Sequence, residues 1–399
     1  MDSIIPIAEN IYWIGANDHE SSLFEAIWPL PRGVSYNTYF IADEKNALID
    51  TVKHSSAQQF LEKIKKLLKG DKKLDYLIIN HMEPDHSGAI RDLLELFPDI
   101  RIVGNKKTAE FLLNFYGITD NLHIVADGDT LDLGTHKLTF YSTPMVHWPE
   151  TMMSFEPTKK ILFSGDAFGG FGTLDGGIFD DEVDIDYFED EILRYFSNIV
   201  GKYSSMVLKA ITKLNNIDIR MIASTHGPVW RKQPDTIIKM YERWSRHEAD
   251  EGIVVVYASM YGNTQKMMKA VVQGFSGKEI KKVRIHNISK THVSYILRDI
   301  WRFKAVVLGT PTYNLKLFPL METLVEMLEN KLLKNRILGI FGTYGWSGGG
   351  VKRLVEFANK VKWDLVEPVI EAKCSPTDEE LKYCYQLGQN TLERLKSSC

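Results

Sequence analysis

Strand-like and helical segments alternate in regular order from residue 251 onward. Each short apolar run, rich in β-branched residues, is followed by a segment with the apolar spacing of an amphipathic helix. The runs cover residues 253–258, 282–285, 305–309, 337–341 and 365–369, and the helical segments cover 265–275, 293–301, 320–330, 351–361 and 379–395. Because a helix that connects two strands of one sheet leaves them parallel, this order predicts an α/β fold with a five-stranded, doubly wound sheet.

The segments before residue 251 alternate less regularly. Strand-like runs are separated by Gly, Asp and Asn, and helical patterns come between only some of them. The predicted strands cover 11–14, 36–42, 47–49, 76–79, 101–103, 137–142 and 160–164, and the predicted helices cover 57–68, 89–96 and 108–115. This mixture favours two sheets with helices outside, which is an α/β sandwich. A polar stretch at 241–252 then precedes the regular part, so we predict domains at 1–250 and 251–399.

Composition excludes several classes of protein. Lys+Arg 48 against Asp+Glu 52 leaves a net charge of −4, which gives no electrostatic case for nucleic acid or an anionic membrane as a partner. No apolar run approaches the roughly 20 residues of a membrane span. The cysteines Cys374, Cys384 and Cys399 form no C-x-x-C pair, which is typical of a reducing compartment. We therefore expect a cytoplasmic protein without a signal peptide, a nucleic-acid partner or a membrane partner.

Side chains that can bind metals concentrate directly after predicted strands. Residues 81–86 read His-Met-Glu-Pro-Asp-His and follow an apolar strand. Such a cluster in isolation is as often a solvated loop as a metal site. Three further candidates each follow another apolar strand. Because strand ends in an α/β sandwich can assemble a site at one edge, a metal site is a better interpretation than a solvated loop. The candidates are His81, Glu83, Asp85, His86, His147, Asp166 and His226.

A loop that suits a phosphate follows the first strand of the regular part. Residues 259–264 read Ser-Met-Tyr-Gly-Asn-Thr and lead into a predicted helix. Hydroxyl groups, a glycine and backbone N–H groups at a helix N-terminus together form an anion site that needs no Lys or Arg. A plain turn is the commoner origin of such a loop, so this loop alone is a weak signal.

Two later loops strengthen the prediction of a flavin site, because ligands of a doubly wound sheet bind beyond the carboxyl ends of its strands. Tyr313, Tyr344 and Trp346 lie in polar or Gly-rich loops, which favours contact with a flat aromatic ring over core packing. No G-x-G-x-x-G motif follows a strand, so no Rossmann site for NAD or FAD is predicted. The candidate flavin-binding residues are Ser259, Met260, Tyr261, Gly262, Asn263, Thr264, Pro311, Thr312, Tyr313, Asn314, Thr343, Tyr344, Gly345, Trp346, Ser347, Gly348 and Gly349.

The order of the metal candidates resembles the motif of the metallo-β-lactamase superfamily, H-x-H-x-D-H followed by His, Asp and His. Glu83 stands where that motif has its second histidine. The region from residue 251 looks like a short-chain flavodoxin domain, which binds FMN. Together the two parts resemble the flavodiiron proteins (A-type flavoproteins) over essentially the whole chain. The resemblance implies an αββα metallo-β-lactamase-like sandwich before a flavodoxin-like domain, with FMN and two non-haem irons as cofactors.

The resemblance also implies a role for each metal candidate. One iron is bound by His81, Glu83 and His147, the other by Asp85, His86 and His226, and Asp166 bridges them. In some members of the family the counterpart of His86 lies off the metal. The extra carboxylate of Glu83 is a hard ligand that favours iron in its higher oxidation states, so the substitution points from hydrolysis toward redox chemistry.

The implied reaction is reduction of O2 to water, of NO to N2O, or of both, with electrons from an external donor such as rubredoxin or a reduced deazaflavin. The family forms head-to-tail dimers, alone or as dimers of dimers, in which the flavin of one subunit approaches the diiron site of the other. Trp148, beside His147, is then a candidate flavin contact, although packing explains it equally well. Tyr195 matches a pocket tyrosine of the family, or is a core aromatic. Glu25 follows Phe24 where many members have histidine, and is either a surface residue or part of the proton supply.

Two other functions compete with this one. The first is a dinuclear zinc or mixed-metal hydrolase with a regulatory flavodoxin domain, against which Glu83 counts. The second is a simple electron carrier whose N-terminal domain only dimerises, against which the complete set of seven ligand candidates counts. The preference between O2 and NO, the donor and the choice between dimer and tetramer stay open.

Overall fold

The computed structural model describes residues 3–68, 73–276 and 280–398. The chain divides into two compact units, Met1–Glu242 and Arg243–Cys399. The domain limits predicted from the sequence, 1–250 and 251–399, stay a prediction, and Cys399 lies outside the described residues. Within the described ranges, no helix combines the length and the apolar character that a membrane crossing requires.

The first unit contains two large sheets and two short two-stranded sheets. Its strands are β1 (Ile5–Ala8), β2 (Ile11–Trp13), β3 (Ala16–Asp18), β4 (Leu23–Phe24), β5 (Trp28–Pro29), β6 (Val34–Tyr36), β7 (Tyr39–Ile41), β8 (Asn46–Ile49), β9 (Leu74–Ile78), β10 (Arg101–Gly104), β11 (Leu122–Ile124), β12 (Thr130–Asp132), β13 (Lys137–Ser142), β14 (Met152–Glu156), β15 (Ile161–Gly165) and β16 (Met221–Ser224). Its helices are α1 (Ala57–Leu67), α2 (Pro84–Ser87), α3 (Ile90–Leu96), α4 (Lys106–Phe111), α5 (Ile185–Tyr195), α6 (Ser204–Leu214) and α7 (Pro234–Ser245).

The two large sheets pack face to face and form the core of this unit. The first has the strand order β1-β2-β7-β8-β9-β10-β11, and the second has the order β12-β13-β14-β15-β16. The ring of Tyr39 on the first sheet lies 5.2 Å from the ring of Phe163 on the second, and both side chains are buried. Helix α1 buries Phe60 and Ile64, which lie on one of its faces. The predicted α/β sandwich is confirmed.

Parallel pairing brings the ends of several strands to one edge. β8, β9, β10 and β11 are parallel neighbours in the first sheet, and β15 is parallel to β16 in the second. The side chains that follow β15 and β16 therefore leave the second sheet at the same edge. Residues 143–151 connect β13 to the antiparallel β14, and this connection carries His147.

The second unit is the doubly wound sheet that the sequence predicts. Its strands are β17 (Asp250–Tyr257), β18 (Val283–Asn287), β19 (Phe303–Tyr313), β20 (Lys316–Leu317), β21 (Ile337–Tyr344) and β22 (Asp364–Lys373), and its helices are α8 (Asn263–Gly274), α9 (Val293–Arg302), α10 (Pro319–Lys331), α11 (Gly350–Val361) and α12 (Asp378–Ser397). Five strands are parallel in the order β18-β17-β19-β21-β22. Val254 and Val255 on β17, an interior strand, point to opposite faces, and both are fully buried, so helices cover both faces.

Several predicted boundaries differ from the structure, and two of these differences have a clear physical reason. The third strand, predicted to end at 309, continues to Tyr313 because β20 pairs back onto it. Part of the loop that was predicted to follow this strand therefore belongs to the strand. The helix predicted at 108–115 is α4 followed by a π-helical turn, Leu112–Tyr116, which ends at Gly117 in the left-handed conformation.

Candidate functional site

A buried carboxylate shapes the loop that carries the first metal candidates. Asp50 accepts hydrogen bonds from the backbone N–H groups of Asn80, at 2.8 Å, and of His81, at 3.3 Å. This fixes the chain where it leaves β9. Pro84 then begins the one-turn helix α2, which presents Asp85 and His86. Strand, turn and short helix thus direct several side chains toward one region.

Four side chains of the predicted set form a first cluster. Their candidate ligand atoms all lie within 4.8 Å of one another, and the residues are His81, Glu83, His147 and Asp166. The Oε2 atom of Glu83 lies 3.2 Å from the Nε2 atoms of both His81 and His147. The Oδ2 atom of Asp166 lies 3.0 Å from the Nε2 atom of His147. All four residues are buried.

Three more side chains form a second cluster, which meets the other oxygen of Asp166. The residues are Asp85, His86 and His226. The Nε2 atoms of the two histidines are 3.0 Å apart, and each lies 3.3 Å from the Oδ2 atom of Asp85. The Oδ1 atom of Asp166 lies 3.0 Å from the Nε2 atom of His86. Asp166 therefore presents one carboxylate oxygen to each cluster, and the structure brings all seven predicted residues together.

The buried charges of the two clusters shift one another's pKa values. Burial alone disfavours a charged imidazole, but Asp85 and Asp166 offset it and raise the pKa of His86 to about 9. In the same way Asp166 and Glu83 raise the pKa of His147 to about 9 against the effect of burial. Burial opposes ionisation of Asp166, yet His86 and His81 hold its pKa well below the usual range. Such a site attracts positive charge, and a metal ion that binds there displaces protons.

The donor set fits a pair of metal ions. Both carboxylate oxygens of Asp85 are buried, and among the described residues they have no hydrogen-bond partner. Unpartnered buried polar atoms are costly unless a bound group satisfies them. Imidazole nitrogens combined with three carboxylates, Glu83, Asp85 and Asp166, form a donor set that suits iron.

Sequence reasoning missed the groups that hold the ligand side chains in place. Glu150 lies within hydrogen-bond distance of the Nδ1 atom of His81, at 2.7 Å. Thr225 donates to Asp166 at 2.6 Å, and the carbonyl of Ser35 lies 2.7 Å from the Nδ1 atom of His226. Glu150 lies three residues after His147 and belongs to no motif that we recognise. Only the fold shows that Glu150 meets a histidine so distant in the sequence.

Two aromatic candidates pack against the clusters. The ring of Trp148 lies 5.3 Å from the ring of His81 and 6.4 Å from that of Phe115. Tyr195 is fully buried, and its ring lies 5.5 Å from that of His226. Its hydroxyl has no hydrogen-bond partner among the described residues, although burial and the nearby Asp166 raise its pKa well above the usual value.

Glu25 lies at the tip of the hairpin formed by β4 and β5. Glu25 and Ala26 have φ angles of 49° and 56°, so two non-glycine residues occupy the left-handed region of a tight turn. The carboxylate of Glu25 accepts a hydrogen bond from Trp28 at 2.9 Å. It lines a cavity of about 700 Å³ together with Glu83 and Asp85. Burial and the charge of Glu83 raise the pKa of Glu25.

The second unit has a cavity of about 410 Å³ at the carboxyl ends of its strands. The predicted residues that line it are Ser259, Met260, Tyr261, Asn263, Thr264, Pro311, Thr312, Tyr313, Asn314, Thr343, Tyr344, Gly345 and Trp346. The predicted residues Gly262, Ser347, Gly348 and Gly349 do not line it. Cys374, which follows β22, also lines the cavity; the sequence prediction missed it, because it covers only the loops after three of the strands.

The cavity has the donors that a phosphate needs. Gly262, the N-cap of α8, adopts a φ of 89° and has no side chain of its own to cap that helix. The backbone N–H of Gly262 donates to the hydroxyl of Ser259 at 3.1 Å, and the hydroxyls of Thr264 and Thr343 are 2.9 Å apart. The rings of Tyr261 and Trp346 are 90% and 77% exposed at the rim, where they can cover a flat ligand. These features fit FMN.

Comparison with known proteins relates both units to described families. Residues 34–227 match the family model "ODP family beta lactamase", and residues 255–388 match the model "Flavodoxin". The chain is 34% identical to a nitric oxide reductase of Moorella thermoacetica, over 99% of this chain and 100% of that protein.

Two solved structures have the same fold over nearly their whole length. The rubredoxin oxygen:oxidoreductase of Desulfovibrio gigas is 29% identical, with a TM-score of 0.94, and the match covers 99% of each chain. The flavodiiron protein of Giardia intestinalis is 29% identical, also with a TM-score of 0.94, and the match covers 100% of this chain and 98% of that one.

Proposed function

We propose a function from one premise: the chain belongs to the flavodiiron proteins. It is an oxidoreductase that passes electrons from an external donor through FMN to a non-haem diiron site. There it reduces O2 to water, NO to N2O, or both. The relatives named above include a nitric oxide reductase and a rubredoxin oxygen:oxidoreductase, which matches this pair of substrates.

The observation that carries the proposal is the shared carboxylate. Asp166 presents Oδ1 to His86 and Oδ2 to His147, each at 3.0 Å, so one side chain can ligate two metals at once. A shared carboxylate is the usual bridge of two metals that lie ~3.5–4 Å apart. We assign His81, Glu83 and His147 to one iron and Asp85, His86 and His226 to the other, with Asp166 between them.

When bound, FMN and the iron pair supply the electrons, because a reduced flavin holds two and a diferrous pair holds two, which matches the four electrons that convert O2 to two waters. The chain itself must then deliver one proton for each electron and hold the small substrate near the clusters. It must also keep Glu83 and the histidines aligned while charge develops. The side chains around the clusters are arranged for these tasks.

We assign the proton supply to Glu25, and to Tyr195 the donation of a hydrogen bond to the substrate. The raised pKa of Glu25 keeps its carboxyl protonated at a higher pH than usual, and its hydrogen bond with Trp28 and the strained turn hold it at the wall of the cavity. Tyr195 presents a buried hydroxyl donor that no side chain of the described residues accepts. It can therefore donate a hydrogen bond to a substrate oxygen beside His226.

The flavin residues bind FMN in two ways. Ser259, Thr264 and the backbone at the start of α8 hold the phosphate, because hydroxyl and N–H donors converge there. Tyr313, Tyr344 and Trp346 cover the flavin ring. We also assign to FMN the predicted Gly262, Ser347, Gly348 and Gly349, which shape the surrounding backbone. The exposed rim around Tyr261 and Trp346 leaves room for an electron-transfer partner.

The donor and the assembly complete the proposal. Rubredoxin or a reduced deazaflavin delivers the electrons, and two chains form a head-to-tail dimer, alone or as a dimer of dimers, in which Trp148 contacts the flavin of the other subunit. The half-exposed Phe115 beside Trp148 supports a partner at this surface. The expected cytoplasmic location rests on the cysteine pattern and stays a prediction. We do not carry the hydrolase forward, because Glu83 enriches the site in hard donors and none of the relatives described above is named as a hydrolase.

The test is a product assay with chemically reduced enzyme under anaerobic conditions. We expect one N2O for every two NO added, by gas chromatography, or consumption of O2 without release of peroxide. Glu25→Gln should lower kcat by about 100-fold and alter its pH profile, because it removes a proton donor. The matched control is Glu20→Gln on the adjacent exposed loop, which should behave as wild type. Flavin reoxidation without N2O or water as product would refute the proposed reaction.

A further inference from the structure

One buried carboxylate distinguishes the two metal clusters. Glu150 is 1% exposed, and its Oε1 atom lies 2.7 Å from the Nδ1 atom of His81 and accepts a hydrogen bond from the backbone N–H of Met82 at 2.9 Å. Among the described residues, no carboxylate lies within hydrogen-bond distance of an Nδ1 atom in the second cluster. There the Nδ1 atom of His226 meets the neutral carbonyl of Ser35, and the Nδ1 atom of His86 has no partner among the described residues.

The position of Glu150 ties it to the first cluster through the loop that connects β13 and β14. The same loop, residues 143–151, supplies His147 as a member of that cluster. Its backbone is fixed by the side chain of Asn105, which donates to the carbonyl of Glu150. One loop therefore provides one ligand side chain, His147, and also the carboxylate that orients a second ligand, His81.

The geometry favours an electronic role over a structural one. The Oε2 atom of Glu150 is buried and has no hydrogen-bond partner among the described residues, an arrangement that costs stability. A carboxylate that accepts Nδ1–H fixes the tautomer in which Nε2 faces the cluster, and it makes the imidazole a stronger donor. A neutral carbonyl, as at His226, has a weaker effect.

We propose that Glu150 is a positioning residue that makes the cluster of His81, Glu83, His147 and Asp166 the tighter and more electron-rich of the two metal positions. This inference rests on the proposed function, because it requires two metals. Its consequence is an unequal pair: the metal beside His81 is held more tightly and favours the higher oxidation state, and the metal beside His226 is the weaker and more exchangeable one.

The test compares Glu150→Gln with a matched control in the full, FMN-loaded chain. Glu156→Gln is that control, because Glu156 is equally buried, lies near His136 and accepts backbone N–H bonds, yet belongs to neither cluster. Metal-free protein is loaded anaerobically with Fe²⁺ and titrated with a chelator. We expect Glu150→Gln to hold one of its two irons roughly 10–100-fold more weakly than wild type, which is the usual effect of removing a group that hydrogen-bonds to a metal ligand. Glu156→Gln should hold both irons as wild type does.

A second readout separates electronic tuning from packing. The reduction potential of the iron pair, followed by EPR, should rise in Glu150→Gln and stay unchanged in Glu156→Gln. Unchanged affinity and potential in Glu150→Gln would overturn the inference while leaving the proposed function intact. Wild-type protein that holds fewer than two irons would overturn the proposed function itself.

Asp85→Asn tests the asymmetry should Glu150→Gln not fold. This variant weakens the other cluster, so it should lose the more weakly held iron and keep one with the affinity of the tighter wild-type step. Wild-type irons that leave together at one chelator concentration, or an Asp85→Asn variant that loses both, would contradict the proposal.

Discussion

The metal-binding unit and the flavin-binding unit build their sites from different chemical groups. In the first, seven ionisable side chains from several loops converge in a buried space around Asp166. In the second, hydroxyls and backbone N–H groups surround an open cavity at the carboxyl ends of one parallel sheet. The first site depends on which side chains are present, and the second depends more on the path of the backbone.

This difference determines how each site tolerates change. A carboxylate shared by two clusters cannot be replaced by any neighbour, because both clusters require its charge. A phosphate held by several hydrogen bonds loses only a fraction of its binding energy when one donor is removed. Substitutions should therefore have large, all-or-none effects in the first unit and small, graded effects in the second.

The largest effect is expected for Asp166→Ala. It removes the side chain that faces both clusters, so we expect loss of both irons, by metal analysis, with one FMN still bound per chain. The retained FMN is the internal control for folding of the second unit. A variant that keeps both irons and full turnover would refute the bridging role and with it the all-or-none character of the first site.

Glu83→His tests whether the identity of a ligand sets the choice of metal. The substitution restores the imidazole-rich pattern that suits zinc, so we expect the preference for iron over zinc to fall by roughly 10-fold or more. The measurement is competitive loading of metal-free protein with both ions. An unchanged ratio would mean that Glu83 does not determine the metal, and the contrast between the units would rest on Asp166 alone.

Thr264→Val tests the flavin site in the same comparison. It removes one hydroxyl donor of the cavity while keeping the shape of the side chain, so FMN should bind about 10-fold more weakly, as expected for one hydrogen bond to a charged group. Iron content should not change. Thr323→Val, on the exposed face of α10, is the matched control. Loss of FMN beyond ~100-fold would show that this site, too, depends on a single side chain.

The smallest effect concerns a histidine whose pKa shifts in the opposite direction to those of the metal clusters. Burial, with Arg336 and Lys334 nearby, lowers the pKa of His247 to about 4. A folded pKa below the unfolded value of about 6.5 means that its contribution to stability is complete above pH 6.5 and is lost as the pH falls toward 4. Because His247 is partly exposed, we discount this to about 1 kcal/mol.

Unfolding by denaturant at pH 7 and pH 4.5 measures this effect. His247→Gln should reduce the loss of stability between the two pH values, and His54→Gln, at an exposed site in the other unit, should not. An identical pH dependence in wild type and His247→Gln would contradict the prediction.

The sequence predicts most of the fold because local patterns and global topology agree. Regular alternation predicts the doubly wound parallel sheet of the second unit. The strand predicted at 305–309 is longer in the structure where β20 pairs onto β19, since a two-residue strand leaves no periodic signal. The strands predicted at 337–341 and 365–369 also continue further, to Tyr344 and Lys373. The metal candidates could be predicted because ionisable residues directly after apolar strands are unusual. Glu150 could not, because it reaches His81 only through the packing of distant strands. Cys374 directly follows β22, and the sequence prediction does not cover the loop after that strand.

The predicted flavin residues show a second limit of prediction from the sequence. Ser347, Gly348 and Gly349 lie in the predicted loop but outside the lining of the cavity. A Cβ atom at Gly348 would lie 2.8 Å from the carboxylate of Glu371, so this glycine permits a close approach within the unit. A sequence pattern marks such a glycine without showing which neighbour requires it.

Anomalous scattering at the iron edge, from crystals of protein purified and loaded with iron under anaerobic conditions, tests the central arrangement most directly. We expect two iron peaks about 3.5–4 Å apart, one on each side of the Asp166 carboxylate. The first should lie among His81, Glu83 and His147, and the second among Asp85, His86 and His226. A single peak, or no iron between these side chains, would contradict the account.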